Sequence, residues 1–240
     1  MSSSSVHQAA KGTPKRATEL VSLQDLDEED PTINLGDGTL GALRSAADWI
    51  TTFVATPNKG LGRSGPVCPF VPGARERQTL WLAAQEVADR SVLDVVQVVN
   101  DYKKLFLRMK PIDGDDADYK AVVVVFPDLL ADGAREFFDE VLEHLQVPSY
   151  VEDGVVVGAF YERNEGSALY NADFRPFKSP VPFLLIRRAV VSDWKFFLDD
   201  EDGLTRWAQR FGVPAAQALA EEIRGLPWRA ARTDDMTTTE

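Results

Sequence analysis

The run AVVVVF at 121–126 constrains the fold of this chain more than any other segment. β-branched residues favour extended backbone, and here they leave no polar face to present to water. A strand of this kind, Tyr119–Phe126, is covered on both sides, so the chain has to fold in layers around a sheet. Pro127 stops it, because proline has no N–H to give to a ladder. With 240 residues, 44% of them hydrophobic, the chain is long enough to build those layers as one domain.

Apolar residues spaced three and four apart predict the covering helices. Leu40–Thr56 is one, with Leu43, Ala46, Ala47, Ile50, Phe53 and Val54 on its stripe, Thr39 as cap and Pro57 as stop. Residues 91–109 form another, capped by Ser91. Residues 133–146 turn Phe137, Phe138, Val141, Leu142 and Leu145 inward. Two short helices follow, near 204–211 and 214–224. Thr79–Val87, Val155–Tyr161 and Pro182–Arg188 read as further strands, the last two paired antiparallel across a polar excursion. The expected fold class is α+β, a mainly antiparallel sheet with helices packed on it. Between the first helix and the first strand, 56–73 reads as a long irregular loop. Residues 1–37, with DLDEEDP at 25–31, read as a disordered acidic arm that folding does not need. Residues 229–240 read as a disordered tail, leaving 38–228 as the single domain.

Charge narrows the partners. There are 38 acidic against 26 basic residues, a net charge of −12, and a field of that sign repels phosphate backbones. No nucleic-acid partner is expected. No apolar stretch reaches the length of a membrane span, and MSSSSVHQAAKGTPKR lacks a signal-peptide core. One cysteine forms no internal disulfide, which fits a cytoplasmic protein.

Histidine narrows the chemistry. The chain has two, and His7 lies in the Ser-rich start, so only His144 belongs to the folded body. That removes the 2-His-1-carboxylate iron site, the His-rich catalytic zinc and the paired Glu-x-x-His di-iron centre.

The first candidate for chemistry is Cys68-Pro69. Proline stiffens the chain after a cysteine, which holds a thiolate at a set angle for a metal. Phe70 and Val71 would wall a porphyrin, and Lys59 and Arg63 would pair with its propionates. A free cysteine is, however, more often a small buried hydrophobe. KGLGRSGP lacks the ending of a phosphate-binding loop and reads as an irregular turn. His144 sits near the edge of its helix stripe. It is a boundary residue, an axial ligand, a proton donor or the base of a Cys68–His144 thiol dyad. In the 162–181 excursion, Tyr170, Asn171, Asp173, Arg175 and Lys178 suit a zwitterion or propionates, or else a solvated hairpin with its own ion pairs. Arg187 and Arg188 end the last strand, and alternation turns one of them inward.

LGRSGPVCPF at 61–70 and LYNADFRPFKSPVPFLLIR at 169–187 resemble an actinobacterial family known as a domain of unknown function, over roughly residues 40–212. The order VCPF, AVVVVFP, His144, PFLLIRR is similar, more distantly, to the YqcI/YcgG family, although there the proline precedes the cysteine. That family includes haem-dependent N-oxygenases of amino acids with basic nitrogen side chains. The resemblance implies a haem-dependent oxygenase of specialised metabolism, holding haem b and N-oxygenating an amino-acid-like or amine substrate. Cys68 would be the axial ligand and His144 the alternative. Pro69 and Phe70 would border the haem, and Lys59, Arg63, Arg175 and Arg187 would meet propionates or a substrate carboxylate. An electron-transfer partner and a homodimer are the further partners expected. Two rivals are a cofactor-free thiol-dependent transferase using Cys68, and a non-catalytic protein that binds its partner through the acidic arm.

Overall fold

The computed structural model describes residues 20–27, 35–198 and 200–225. Five strands, β1 (Val21–Ser22), β2 (Leu80–Ala84), β3 (Ala121–Val125), β4 (Val155–Phe160) and β5 (Phe183–Arg188), form one sheet in the order β1-β2-β3-β5-β4. β2 and β3 run parallel, and the other neighbours are antiparallel. The fold is therefore α+β with a mostly antiparallel mixed sheet. Its one parallel step needs a crossover, and a 17-residue helix supplies it.

Seven α-helices accompany the sheet among the described residues: α1 (Leu23–Asp27), α2 (Asp37–Trp49), α3 (Phe70–Glu76), α4 (Val92–Arg108), α5 (Ala134–Pro148), α6 (Glu201–Phe211) and α7 (Val213–Arg224). β3 decides how they are arranged. Its side chains alternate, so Val122 and Val124 enter a core with Tyr102 and Phe106 of α4 and Phe138, Val141 and Leu145 of α5. Val123 and Val125 enter the opposite core, with Leu43, Ala46 and Ala47 of α2 and Val71 and Ala74 of α3. A third, smaller cluster of Tyr150, Trp194, Trp207 and Ala215 packs α6 and α7 beside β4.

Local signals explain most boundaries. At the start of α4, Ser91 Oγ accepts from Asp94 N at 3.2 Å, and the Asp94 carboxylate accepts from Ser91 N at 3.2 Å. α2 begins at Asp37 rather than at a Thr39 cap, and continues as a π-helical turn over Ile50–Val54 before Pro57. The loop expected over 56–73 is shorter, because α3 starts at Phe70. Pro69 and Pro72 hide this helix in the sequence, yet both fall where a missing N–H leaves no helical bond unmade.

The arm needs a larger correction. Leu20–Asp27 lies within the span expected to be disordered and dispensable, but β1 pairs with β2 and α1 buries Leu23 and Leu26 in the α2–α3 core. Tertiary contact, not local propensity, orders so short a segment. The rest of 1–37 and the tail at 229–240 lie outside the described residues, apart from 35–37 at the start of α2.

A buried lysine closes the end of α4. Lys120, 2% exposed, donates to Phe106 O and Met109 O at 2.7 Å each, with its ammonium over the Phe106 ring. It thereby satisfies carbonyls that a helix end leaves open. Burial, with Arg188 as a lesser cause, pulls its pKa down to about 8.

Two predictions follow from this packing. Leu26→Ala should cost about 2–5 kcal/mol in urea unfolding, the range for emptying a buried leucine site; an unchanged midpoint would return α1 to the dispensable arm. For Lys120, the unfolded chain holds its proton up to the ordinary lysine range while the folded chain releases it near 8. The unfolded state thus binds more protons in that window, so this residue makes stability rise as pH rises through it. Subtracting the pH profile of Lys120→Met from that of the wild type should isolate the rise, and parallel profiles would refute it.

Candidate functional site

The two sequence segments singled out for chemistry meet in space. After α2 the chain turns back on itself, with Val67 N donating to Thr56 O at 3.1 Å and Cys68 N to Val54 O at 3.0 Å. Arg63 holds the turn closed: Nη1 donates to Ser64 O at 2.9 Å, and Nη2 to Pro66 O and Val67 O at 3.0 and 3.1 Å. The 162–181 excursion lies against this turn. Asn171 Nδ2 donates to Gly60 O at 2.7 Å. Gly62 has φ +75°, and a Cβ there would lie 2.5 Å from Tyr170 O. At Gly60 a Cβ would lie 2.6 Å from the Phe174 ring. The glycines are needed because the other segment occupies the space a side chain would take.

Beside this junction stands a wall of aromatic rings. Trp49 packs on Phe53, Phe160 and Phe183 at 5.4–6.0 Å between centroids. Phe53 reaches Phe174 at 6.1 Å, and Phe160 reaches Phe177 at 5.6 Å. All but Phe183 are only half-buried, so the wall has solvent-facing apolar surface. Cys68, also half-buried, packs against the same cluster. Trp49 and Phe53 show one signal in sequence, their i, i+4 spacing; nothing local links them to Phe160, Phe174 and Phe177.

The sequence candidates separate here. Pro69 is exposed, and Phe70 packs on Tyr119 at 5.9 Å instead of facing the wall rings. Lys59 is exposed on the turn. His144 is exposed on α5, whose buried side enters the core across the sheet from Cys68. The proposed Cys68–His144 dyad is therefore not formed, and the two are not alternative ligands of one bound group. Arg175 donates to Glu165 at 3.4 Å and to Ala172 O. Lys178, at 3.3 Å, and then Arg175 hold the Glu165 carboxyl below its ordinary pKa. Arg187 forms a fork with the buried Asp193, at 2.7 and 3.2 Å. Tyr150 lies in the neighbouring cluster with its hydroxyl buried and unpartnered, and burial, then the Asp193 charge, pushes its pKa up.

A family model matches residues 43–222, from the first buried leucine of α2 into the last turn of α7. The chain belongs to the DUF6875 family. Its description is a domain of unknown function. No curated protein and no solved structure matches the chain. The matched span of DUF6875 holds both interlocked segments and the aromatic wall, while β1 and α1 lie before it.

A haem needs an axial ligand, an apolar slot and cations for its propionates. Cys68 offers a sulfur for the first, and the wall offers one apolar face toward the second. For the third, Arg63, Arg175 and Arg187 are bound to protein acceptors, so pairing falls to Lys59.

The junction itself is testable. Gly62→Ala should destabilise the protein by about 1–3 kcal/mol, because it strains the backbone and meets Tyr170 O. It should also speed limited proteolysis within 56–69. Unchanged cleavage and stability would show that the two segments do not interlock.

Proposed function

We propose that this DUF6875 protein binds haem through Cys68 and N-oxygenates an amino-acid-like or amine substrate. One observation carries the reading: the turn that ends in the VCPF run, which is similar to a landmark of the haem-dependent N-oxygenases, packs on the 162–181 excursion next to a half-open aromatic wall. Among the described residues no group of three or more His, Cys, Asp or Glu could hold a metal ion. A porphyrin asks for only one protein ligand, and Cys68 is half-buried and free of any disulfide.

Bound haem with a thiolate ligand would supply the oxygen chemistry, with electrons from a partner protein. The chain's own part is positional. The Arg63 clamp fixes the turn that carries Cys68, and Asn171 ties that turn to the excursion. Trp49, Phe53, Phe160 and Phe174 would exclude water from one side of a planar group. Lys59 would meet a propionate.

The thiol-transferase reading has weaker support, because a nucleophilic cysteine needs an oriented base and His144 lies across the sheet. Arm-mediated partner binding concerns residues that lie mostly outside the described ones. No helix among the described residues is long and apolar enough to cross a membrane.

Reconstitution tests the proposal. Wild-type protein should take up roughly one haem per chain and give a strongly red-shifted ferrous-CO Soret band, as thiolate donation requires. Cys68→Ser should lose the shift and retain less haem, while His144→Ala should match the wild type. A protein that shows no Soret band after reconstitution, or a Cys68→Ser variant that keeps the shifted band, overturns the assignment.

A further inference from the structure

A cleft of about 590 Å³ opens where β2 begins, lined by Arg77, Gln78, Thr79, Trp81 and the 110–116 segment. This volume lies within the range of small-molecule sites. The cleft is distinct from the Cys68 region. Arg77 follows the C-terminal end of α3, and a helix of seven residues spans about 10 Å, so a ligand here is out of reach of the thiol.

Its charges divide into a closed pair and an open one. Arg77 donates to Asp116 at 2.7 Å and lies over the Tyr119 ring, 4.2 Å from its centroid. That guanidinium and that carboxylate satisfy each other. Lys110 and Asp113 are both exposed on the cleft, and neither forms an ion pair among the described residues. Between them in sequence, Pro111 and Ile112 present apolar surface, Ile112 being 56% exposed. Arg188 donates to Ile112 O at 3.1 Å and ties the middle of this segment to β5. Trp81 supplies a broad ring on the β2 side, and among the described residues no hydrogen bond uses its indole N–H.

We propose that this cleft binds a free α-amino acid with an apolar side chain. The carboxylate would pair with Lys110 and the Trp81 N–H, and the ammonium with Asp113. The side chain would lie on Trp81, Pro111 and Ile112. A zwitterion pairs with both Lys110 and Asp113, whereas an anion or an amine alone pairs with only one of them. The proposal does not rest on the haem reading, because its test needs no haem.

Calorimetry on the full chain provides that test. L-phenylalanine should bind saturably at roughly millimolar affinity, as expected for so small a ligand in an open cleft. N-acetyl-L-phenylalanine, which lacks the ammonium, and phenethylamine, which lacks the carboxylate, should each bind about tenfold more weakly. Lys110→Met and Asp113→Asn should each weaken L-phenylalanine by a similar factor. Both residues are exposed, so the variants should keep the wild-type thermal midpoint. Absence of saturable heat, equal binding of the three compounds, or indifference to both substitutions overturns the proposal. Any of these outcomes would leave the haem spectrum unaffected.

Discussion

Four buried valines on β3 set the terms for the whole molecule. Val122 and Val124 face one core, and Val123 and Val125 the other. Fully burying such a side chain is worth about 1.5–3 kcal/mol, so a helical layer missing from either face would expose several kcal/mol of apolar surface. Like β2, β3 has a parallel neighbour on one side and an antiparallel one on the other. It links the α4 crossover to the β4–β5 hairpin, and both depend on its being buried on two faces. The sheet then acts as a partition. Cys68 packs on the α2 side and α5 packs on the other, so any chemistry at Cys68 draws on residues from that one side.

Much of the architecture was legible because it rests on long, regular patterns. α4 and α5 carry apolar stripes several turns long, and α4 has its cap written into Ser91 and Asp94. The antiparallel β4–β5 pair followed from two apolar runs flanking a polar one. The N-terminal segment was not legible, for the complementary reason. A two-residue strand and a five-residue helix have no period to detect. Leu23 and Leu26 gain their burial from α2, which lies later in the chain. α3 was hidden by its prolines, whose local meaning depends on whether they stand before, at or inside the first turn.

The candidate site was legible in its segments but not in its charges. The 56–73 and 162–181 stretches were recognisable by composition, and they do meet. Which arginine is free cannot be read from sequence. Arg63 looks available there, yet its guanidinium binds three carbonyls of its own turn. Arg187 looks like an inward cation seeking a ligand, and it already has Asp193, six residues on. A planar fork that satisfies several acceptors at once is as useful for bracing a loop as for holding an anion. The separation depends on side-chain geometry, which has no one-dimensional signature.

The interlock also divides the turn into residues that packing explains and one that it does not. Gly60 and Gly62 are glycine because Phe174 and Tyr170 occupy the adjoining space. Arg63 is an arginine because three carbonyls need donors, and Asn171 reaches Gly60 O with its amide. Cys68 differs. Its hydrogen bond to Val54 O is made by the backbone N–H, which any residue but proline could offer. Its half-buried side chain packs on an apolar cluster where alanine or valine would serve as well. Contacts therefore account for the shape of the turn but not for a sulfur at its end. The clamp fixes the backbone at that point against the cluster that holds the wall rings, and the proposed thiolate ligation would draw on that rigidity.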